Sequence, residues 1–442
     1  MSNELDNLLI SWSEPGADDR LLNLYSEMKR GASFPENAFE GDPQRKDVRD
    51  ICMKVLANRD RALAEYTEKF DGVKLAPEQF RVSEKQLEQA HKEIDKKLLG
   101  SIRQAIENVR KYQTEIFVGG KSNSSGVTGI RYTPIRRVGI CVPGAAAPLP
   151  STVIMTAVPA QVAGVKEIAV VSPPRYKGGI HPVILAVCYE LGIKEVYRIG
   201  GAQAVAALAH GTKTVKKVDK IVGPGNRWVQ TAKLEVFGYV GIDSIAGPSE
   251  VLIIADEQAN APWVAADMLS QAEHCPGSAI VFTTSKILAN EIIEELRGQL
   301  KQLNRGKETR ECLLSLLGIV VFRDIDSLIE RANSFAPEHL EIQCGEASRE
   351  IADRITNAGA IFIGDYSPVA VGDYWAGPSH TLPTGQTAKF FSALSANDFI
   401  KSTSIIEYSK EQLAASADDI IRLAEVEGLD AHAKSVRIRQ QG

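Results

Sequence analysis

The chain has 442 residues, 44% of them hydrophobic and 24% charged, with a formal net charge of -5, the mix of a globular protein with apolar mass for two or more cores. No Lys/Arg block dominates any stretch, so nucleic acid and membrane surfaces are excluded as expected partners and a small molecule is left. The opening MSNELDNLLISWSEPGADD carries acids where a secretory signal carries basic then apolar residues, and no run approaches the ~20 apolar residues of a membrane span, so a cytoplasmic location is expected.

Residues 1–125 read as an N-terminal helical region. Val48, Ile51, Val55 and Leu56 recur at helical spacing, and Ser83 with Gln86 makes a capping box that opens a helix running on through Ile102, Ile106 and Val109. After GGKSNSSG (119–126) the pattern changes to short apolar runs separated by helical segments. These runs are VGICV (138–142), EIAVV (167–171), VYRIG (196–200), KIVG (220–223), VLIIA (251–255), AIVF (279–282), GIVVF (318–322) and AIFIG (360–364). Strands alternating with helices predict βαβ units and parallel sheets, and this many units predict two sheets. The expected fold is therefore α/β, with a first Rossmann-like domain over 126–245 and a second α/β domain carrying the chemical motifs over 246–385. A helical tail follows over 386–442, around KEQLAASADDIIRLAEVEG. No short-period repeat is present.

The six cysteines (Cys52, Cys141, Cys188, Cys275, Cys312, Cys344) include no CxxC pair and read as reduced thiols, so a metal needs ligands from His, Asp, Glu or amides. Gln271 and His274 share a helical face just before Pro276. In Ala336-Pro337-Glu338-His339 a carboxylate and an imidazole follow a proline-fixed turn; the imidazole suits taking a proton from an alcohol and the glutamate suits activating water. Asp373 and His380 sit on the glycine-punctuated loop GDYWAGPSH, and in EVEGLDAH a C-capping Gly428 aims Glu427 and His432 outward. Each motif alone reads equally as structure: a polar helix end, a solvated turn, a loop aspartate, a surface helix stop. Together Gln271, His274, Asp373 and His432 form a mixed N/O set that suits zinc better than calcium or magnesium. Nucleotide candidates are PGAAAP (143–148), GGAQ (200–203) and GPGN (223–226), each after a predicted strand; none is GxGxxG, and each serves as well as a tight strand-to-helix turn.

From VRDICMKVL at residue 48 to AHAKSVRIR at 438, the chain resembles the histidinol dehydrogenase family, most specifically in GGAQAVAALAHGT, VDKIVGPGN, AGPSEVLIIAD, SQAEHCP, APEHLEI, GDYWAGPSHTLPTG and AEVEGLDAH. The resemblance implies an NAD-linked, zinc-containing dehydrogenase that oxidises L-histidinol through an aldehyde to L-histidine, the last step of histidine biosynthesis. Carried over by motif, it puts zinc on Gln271, His274, Asp373 and His432, and catalysis on Glu338 and His339. It puts substrate contacts on Ser249, His380 and Glu427 besides His339 and the zinc ligands, and nucleotide contacts on Gln203, Asn226 and the position of Cys141. It also implies an intertwined homodimer whose C-terminal tail completes the neighbour's site. The chain departs from the family pattern at Cys141, where a tyrosine is usual, at Ala145 in place of glycine, and at Ser379 in place of asparagine. The alternatives are a zinc- and NAD-dependent relative acting on another small hydroxyl substrate, such as an anionic diol, and more remotely a zinc hydrolase with Glu338 as base.

Overall fold

The computed structural model describes residues 5, 7–12, 16–30, 43–120, 123–124, 127–144, 148–273, 277–303, 309–310 and 316–441. All eight apolar runs form strands of two parallel sheets. The first sheet has the spatial order Glu195–Tyr197, Glu167–Val171, Arg137–Cys141, Lys220–Val222, Gly241–Ile242. The second runs Leu9–Ser11, Leu317–Val321, Gly277–Thr283, Ser249–Ala255, His339–Gln343, Ala360–Ile363. Numbered within each sheet, and leaving Leu9–Ser11 aside, both wind in the order 3-2-1-4-5, so each has a switch point beside its first strand. Helices cover both faces, which is why the central strands are buried along nearly their whole length.

Three expectations need correction. The N-terminal region is not purely helical, because Leu9–Ser11 pairs with Leu317–Val321 at the edge of the second sheet. The helix capped by Ser83 stops at Glu93; a new one, Lys96–Ile116, starts where the Asp95 carboxylate accepts the Leu98 N–H at 2.8 Å. The tail is not purely helical, because it includes a strand, Ile400–Ile406, antiparallel to Thr128–Pro134. The expected apolar face holds at Val48, Ile51 and Val55, which are buried in the core of the first sheet.

The chain divides into two compact units. One comprises Met1–Phe117 with Ile135–Phe399 and contains both parallel sheets; the other comprises Val118–Pro134 with Ile400–Gly442. In the second unit Lys410–Val426 ends at Gly428 (φ 70°), with the Leu429 N–H bonded to the Ala424 carbonyl at 2.8 Å, a Schellman closure before Asp430–Gln440. Among the described residues no helix is long and apolar enough to cross a membrane.

Arg137 ties the amino ends of three strands of the first sheet. It donates to Glu167 Oε2 at 2.9 Å and in bidentate fashion to Glu195 at 2.9 and 2.8 Å, and the Arg137 hydrogen bonds hold the Glu195 carboxyl down at about 2. Arg137→Met should lower stability by about 3 kcal/mol, because a partly buried carboxylate loses its cation. Glu195 titrates below its unfolded value, so the margin over the variant should be full above about pH 5 and fade as pH falls through the folded value. Urea midpoints at both ends of that range measure it; a flat difference below about 1 kcal/mol would refute the account.

Candidate active site

The helix Ile325–Phe335 stops at Ala336, which is left-handed at φ 51° and ψ 62°, a conformation that a residue with a side chain adopts only under constraint. Pro337 then commits the chain to extended backbone, so His339 is the first residue of a central strand rather than part of a solvated turn. Gly359 allows the next strand to close over this entry: a Cβ there would lie 2.5 Å from the Glu338 carbonyl oxygen.

The neighbouring strand begins at Ser249, and Glu250, just after that start, is sewn to Glu338, just before the start at His339. The Glu250 N–H donates to Glu338 Oε2 at 2.9 Å, while the Glu338 N–H and Gly385 N–H donate to Glu250 Oε1 at 3.2 and 3.1 Å. Both carboxyls are buried, and burial raises Glu338 to about 7 and, with the nearby Glu338 charge, Glu250 to about 8. His339 lies between acids, with Nδ1 3.1 Å from the Glu250 carbonyl and 3.5 Å from Glu338 Oε2. Its Nε2 is 3.7 Å from Asp373 Oδ1, within ion-pair but beyond hydrogen-bond reach, and is buried with no hydrogen-bond partner. Burial opposes a charge on this ring, but Glu338 and Asp373 outweigh it and raise His339 to about 9.

Six expected residues (Ser249, Gln271, Glu338, His339, Asp373 and His380) line one cavity of about 150 Å³. Gln271, on the last turn of Ala261–Ala272, is 1% exposed, and its Nε2 is buried without a partner. Asp373 comes from the short helix Val369–Tyr374. His274 lies outside the described residues, and Glu427 and His432 belong to the second unit. Among the described residues no three His, Cys, Asp or Glu side chains gather as a metal cluster. The Ser379 hydroxyl donates to the Met155 carbonyl at 2.9 Å, so this departure from the family pattern anchors the loop to a core helix.

A second cavity of about 360 Å³ opens at the carboxyl ends of the first sheet, by its switch point, and Cys141, Gln203 and Asn226 all line it. Gln203 is buried with Oε1 unpartnered. The left-handed Gly201 (φ 67°) leaves it room, since a Cβ there would sit 2.7 Å from that oxygen. Asn226 Oδ1 caps the following helix by accepting the Val229 N–H at 3.2 Å. Burial holds the Cys141 thiol up at about 12, so it stays protonated. Ala145 is outside the described residues. Pro224 lines both cavities.

Sequence reasoning missed three side chains here. Glu250 stands beside Ser249 in AGPSE, and only its burial reveals it. Lys233, 1% exposed, pairs with Asp243 and donates to the Gly223 carbonyl at 3.2 Å, while Asp243 Oδ2 accepts the Gly223 N–H at 2.7 Å. A lysine on an amphipathic helix reads as solvated, and only the partner Asp243 signals otherwise.

The family model described as histidinol dehydrogenase matches residues 36–440. Histidinol dehydrogenase from Rhodopirellula baltica is 50% identical over 397 residues, covering 89% of this chain and 86% of that protein. The one from Oceanobacillus iheyensis is 48% identical over 401 residues, covering 90% and 93%. A crystal structure of histidinol dehydrogenase from Elizabethkingia anophelis superposes with a TM-score of 0.86 at 36% identity, covering 94% of this chain and 96% of that one.

Glu250 and Glu338 both titrate above their unfolded values, so the folded state holds more protons than the unfolded one and loses stability as pH rises through that window. Glu250→Gln keeps an acceptor for both N–H groups and removes one ionisation. Its melting temperature, measured by calorimetry on chelator-treated protein, should therefore gain on the parent's from about pH 5 to about pH 8. A gap that stays constant or moves the other way would show that the carboxyl is not held neutral by burial.

Proposed function

The chain belongs to the histidinol dehydrogenase family of oxidoreductases, and from that premise we propose that it oxidises L-histidinol to L-histidine in the cytoplasm, through an aldehyde, with NAD accepting a hydride in each of two steps. The observation that carries this reading is the adjacency of the two cavities: Pro224 walls both the space beside His339 and the space beside Gln203 and Asn226. A carbinol carbon in the first and a nicotinamide reaching in from the second would be neighbours.

The protein's own groups suit the proton traffic. The Nδ1 contact to the Glu250 carbonyl requires the hydrogen on Nδ1, so Nε2 is the atom that takes the alcohol proton. Glu338 titrates near neutrality and takes the proton of the water that adds to the aldehyde, giving a hydrate able to release the second hydride. Each oxidation removes one hydride from carbon and one proton from oxygen, and the added water supplies the second carboxylate oxygen.

Zinc fits the donor set in character. Asp373 and the buried Gln271 line the same cavity and offer a carboxylate and an amide oxygen; with His274 and His432 they would make one amide, one carboxylate and two imidazoles. Bound there, zinc supplies a Lewis acid that orients the substrate's nitrogens. Asp373, if engaged in holding a cation, would pull less on the His339 proton.

Purified protein given NAD and L-histidinol should form two NADH per L-histidinol consumed. Chelation should abolish turnover and zinc restore it, with L-histidinol binding lost more than NAD binding; full activity in verified metal-free protein would sink the zinc assignment. His339→Asn should slow both oxidations by about 10²-fold or more, whereas Glu338→Gln should mainly slow aldehyde to acid. Equal slowing of both steps in both variants would remove this division. The same reading takes the active form as a homodimer completed by the partner's His432. Refolding a His339→Ala chain with a His432→Ala chain should then return roughly a quarter of wild-type activity, and a mixture that exchanges subunits yet stays inactive would exclude sharing.

A further inference from the structure

The nucleotide cavity contains a carboxylate that none of the motif residues accounts for. Asp71 ends the helical segment Pro43–Asp71, which kinks at Arg59, outside the sheet whose strand ends build the cavity, and lines that cavity with Gln203 and Asn226. Arg175 clamps it: Nε donates to Asp71 Oδ1 at 2.8 Å and Nη2 to the Phe70 carbonyl at 3.1 Å. The Asp71 side chain is 4% exposed, and its other oxygen, Oδ2, is buried with no hydrogen-bond partner. Gln203 Oε1 is unpartnered in the same lining. Buried acceptors without donors are rare, and two in one cavity call for donors that a ligand brings.

A dinucleotide brings ribose hydroxyls. In the Rossmann arrangement the acid that takes the ribose 2′-hydroxyl lies near the end of the second strand, and an arginine there accommodates a 2′-phosphate instead. Here the second strand in winding order, Glu167–Val171, is followed by Ser172, Pro173, Pro174 and Arg175, an arginine with no acid beside it in sequence. The acid arrives from the N-terminal helix and occupies that arginine. We propose that Asp71 selects the dinucleotide: Oδ2 accepts a ribose hydroxyl of an unphosphorylated ribose, while the same carboxylate, by engaging Arg175, turns away a ribose 2′-phosphate. This rests on reading the cavity as the NAD site.

Calorimetric titration with NAD and with NADP, without substrate, tests it. The parent protein should bind NAD at least about tenfold more tightly than NADP. Asp71→Asn, which keeps the shape, should lose about tenfold or more in NAD affinity and narrow the preference to within about threefold, the scale of one hydrogen bond to a charged group. Arg175→Gln, which keeps the carboxylate, should retain the preference for NAD, as should Asp71→Glu if the asparagine variant does not fold. Binding of L-histidinol should be unchanged in all of them, which a general structural defect would not allow. If Asp71→Asn binds both dinucleotides as the parent does, or loses both equally, the selecting role is overturned while the NAD site stands. If the parent binds neither dinucleotide, this proposal and the NAD reading fall together.

Discussion

Glu250 and Glu338 each give a carboxylate oxygen to the backbone N–H of the other across two neighbouring parallel strands. A buried carboxylate is costly unless its oxygens find donors, and the first residues of a parallel strand have N–H groups to offer. The two needs meet here. Because Gly385 adds a second N–H to the Glu250 carboxylate, the returning loop after His380 is drawn to the same point. This exchange sets the relative position of Ser249 and His339, since one opens the first of these strands and the other opens the second. It also explains why the cavity beside His339 lies at the amino edge of the second sheet, whereas the cavity beside Gln203 and Asn226 opens at the carboxyl ends of the first.

Behind His339 the same strand continues the pattern. Glu341 and Gln343 alternate with Leu340 and Ile342, so the polar residues share one face. Glu341 Oε1 accepts the Val369 N–H at 2.9 Å at the start of the helix that carries Asp373, and Gln343 Nε2 donates at 2.8 Å to Asp267, one turn before Gln271. The strand that presents His339 therefore also holds the helices that present Gln271 and Asp373. From the other sheet, the buried Lys233–Asp243 pair grips Gly223 on both its carbonyl and its N–H, next to the Pro224 that walls both cavities. Each sheet thus brings its own buried, hydrogen-bonded polar groups to the edge of the site, an arrangement that favours one geometry over many.

Most of the scaffold was legible because its signals are local. A run such as EIAVV between helical segments can be satisfied only in a strand covered on both faces, and Ser83 with Gln86 or Gly428 after Val426 marks a helix end by the backbone groups it satisfies. The strand His339–Gln343 escaped because HLEIQ alternates polar and apolar residues like a half-exposed edge, although every residue in it is buried; its polar face is hidden by partners distant in sequence. Leu9–Ser11 escaped because three residues carry no period, and their strand character comes wholly from pairing with Leu317–Val321.

By itself the sequence determined the α/β class, the two sheets and the residue types able to move protons or hold a metal, since these follow from periodicity and from side-chain chemistry. Only the tertiary structure decided which of those residues meet. Ser249, Gln271, Glu338, His339, Asp373 and His380 share a cavity because parallel winding returns separate strand starts to one edge. Asp71, Lys233 and Glu250 become informative for the same reason: the meaning of a charge is set by its burial and its partner, and neither is a property of its place in the chain.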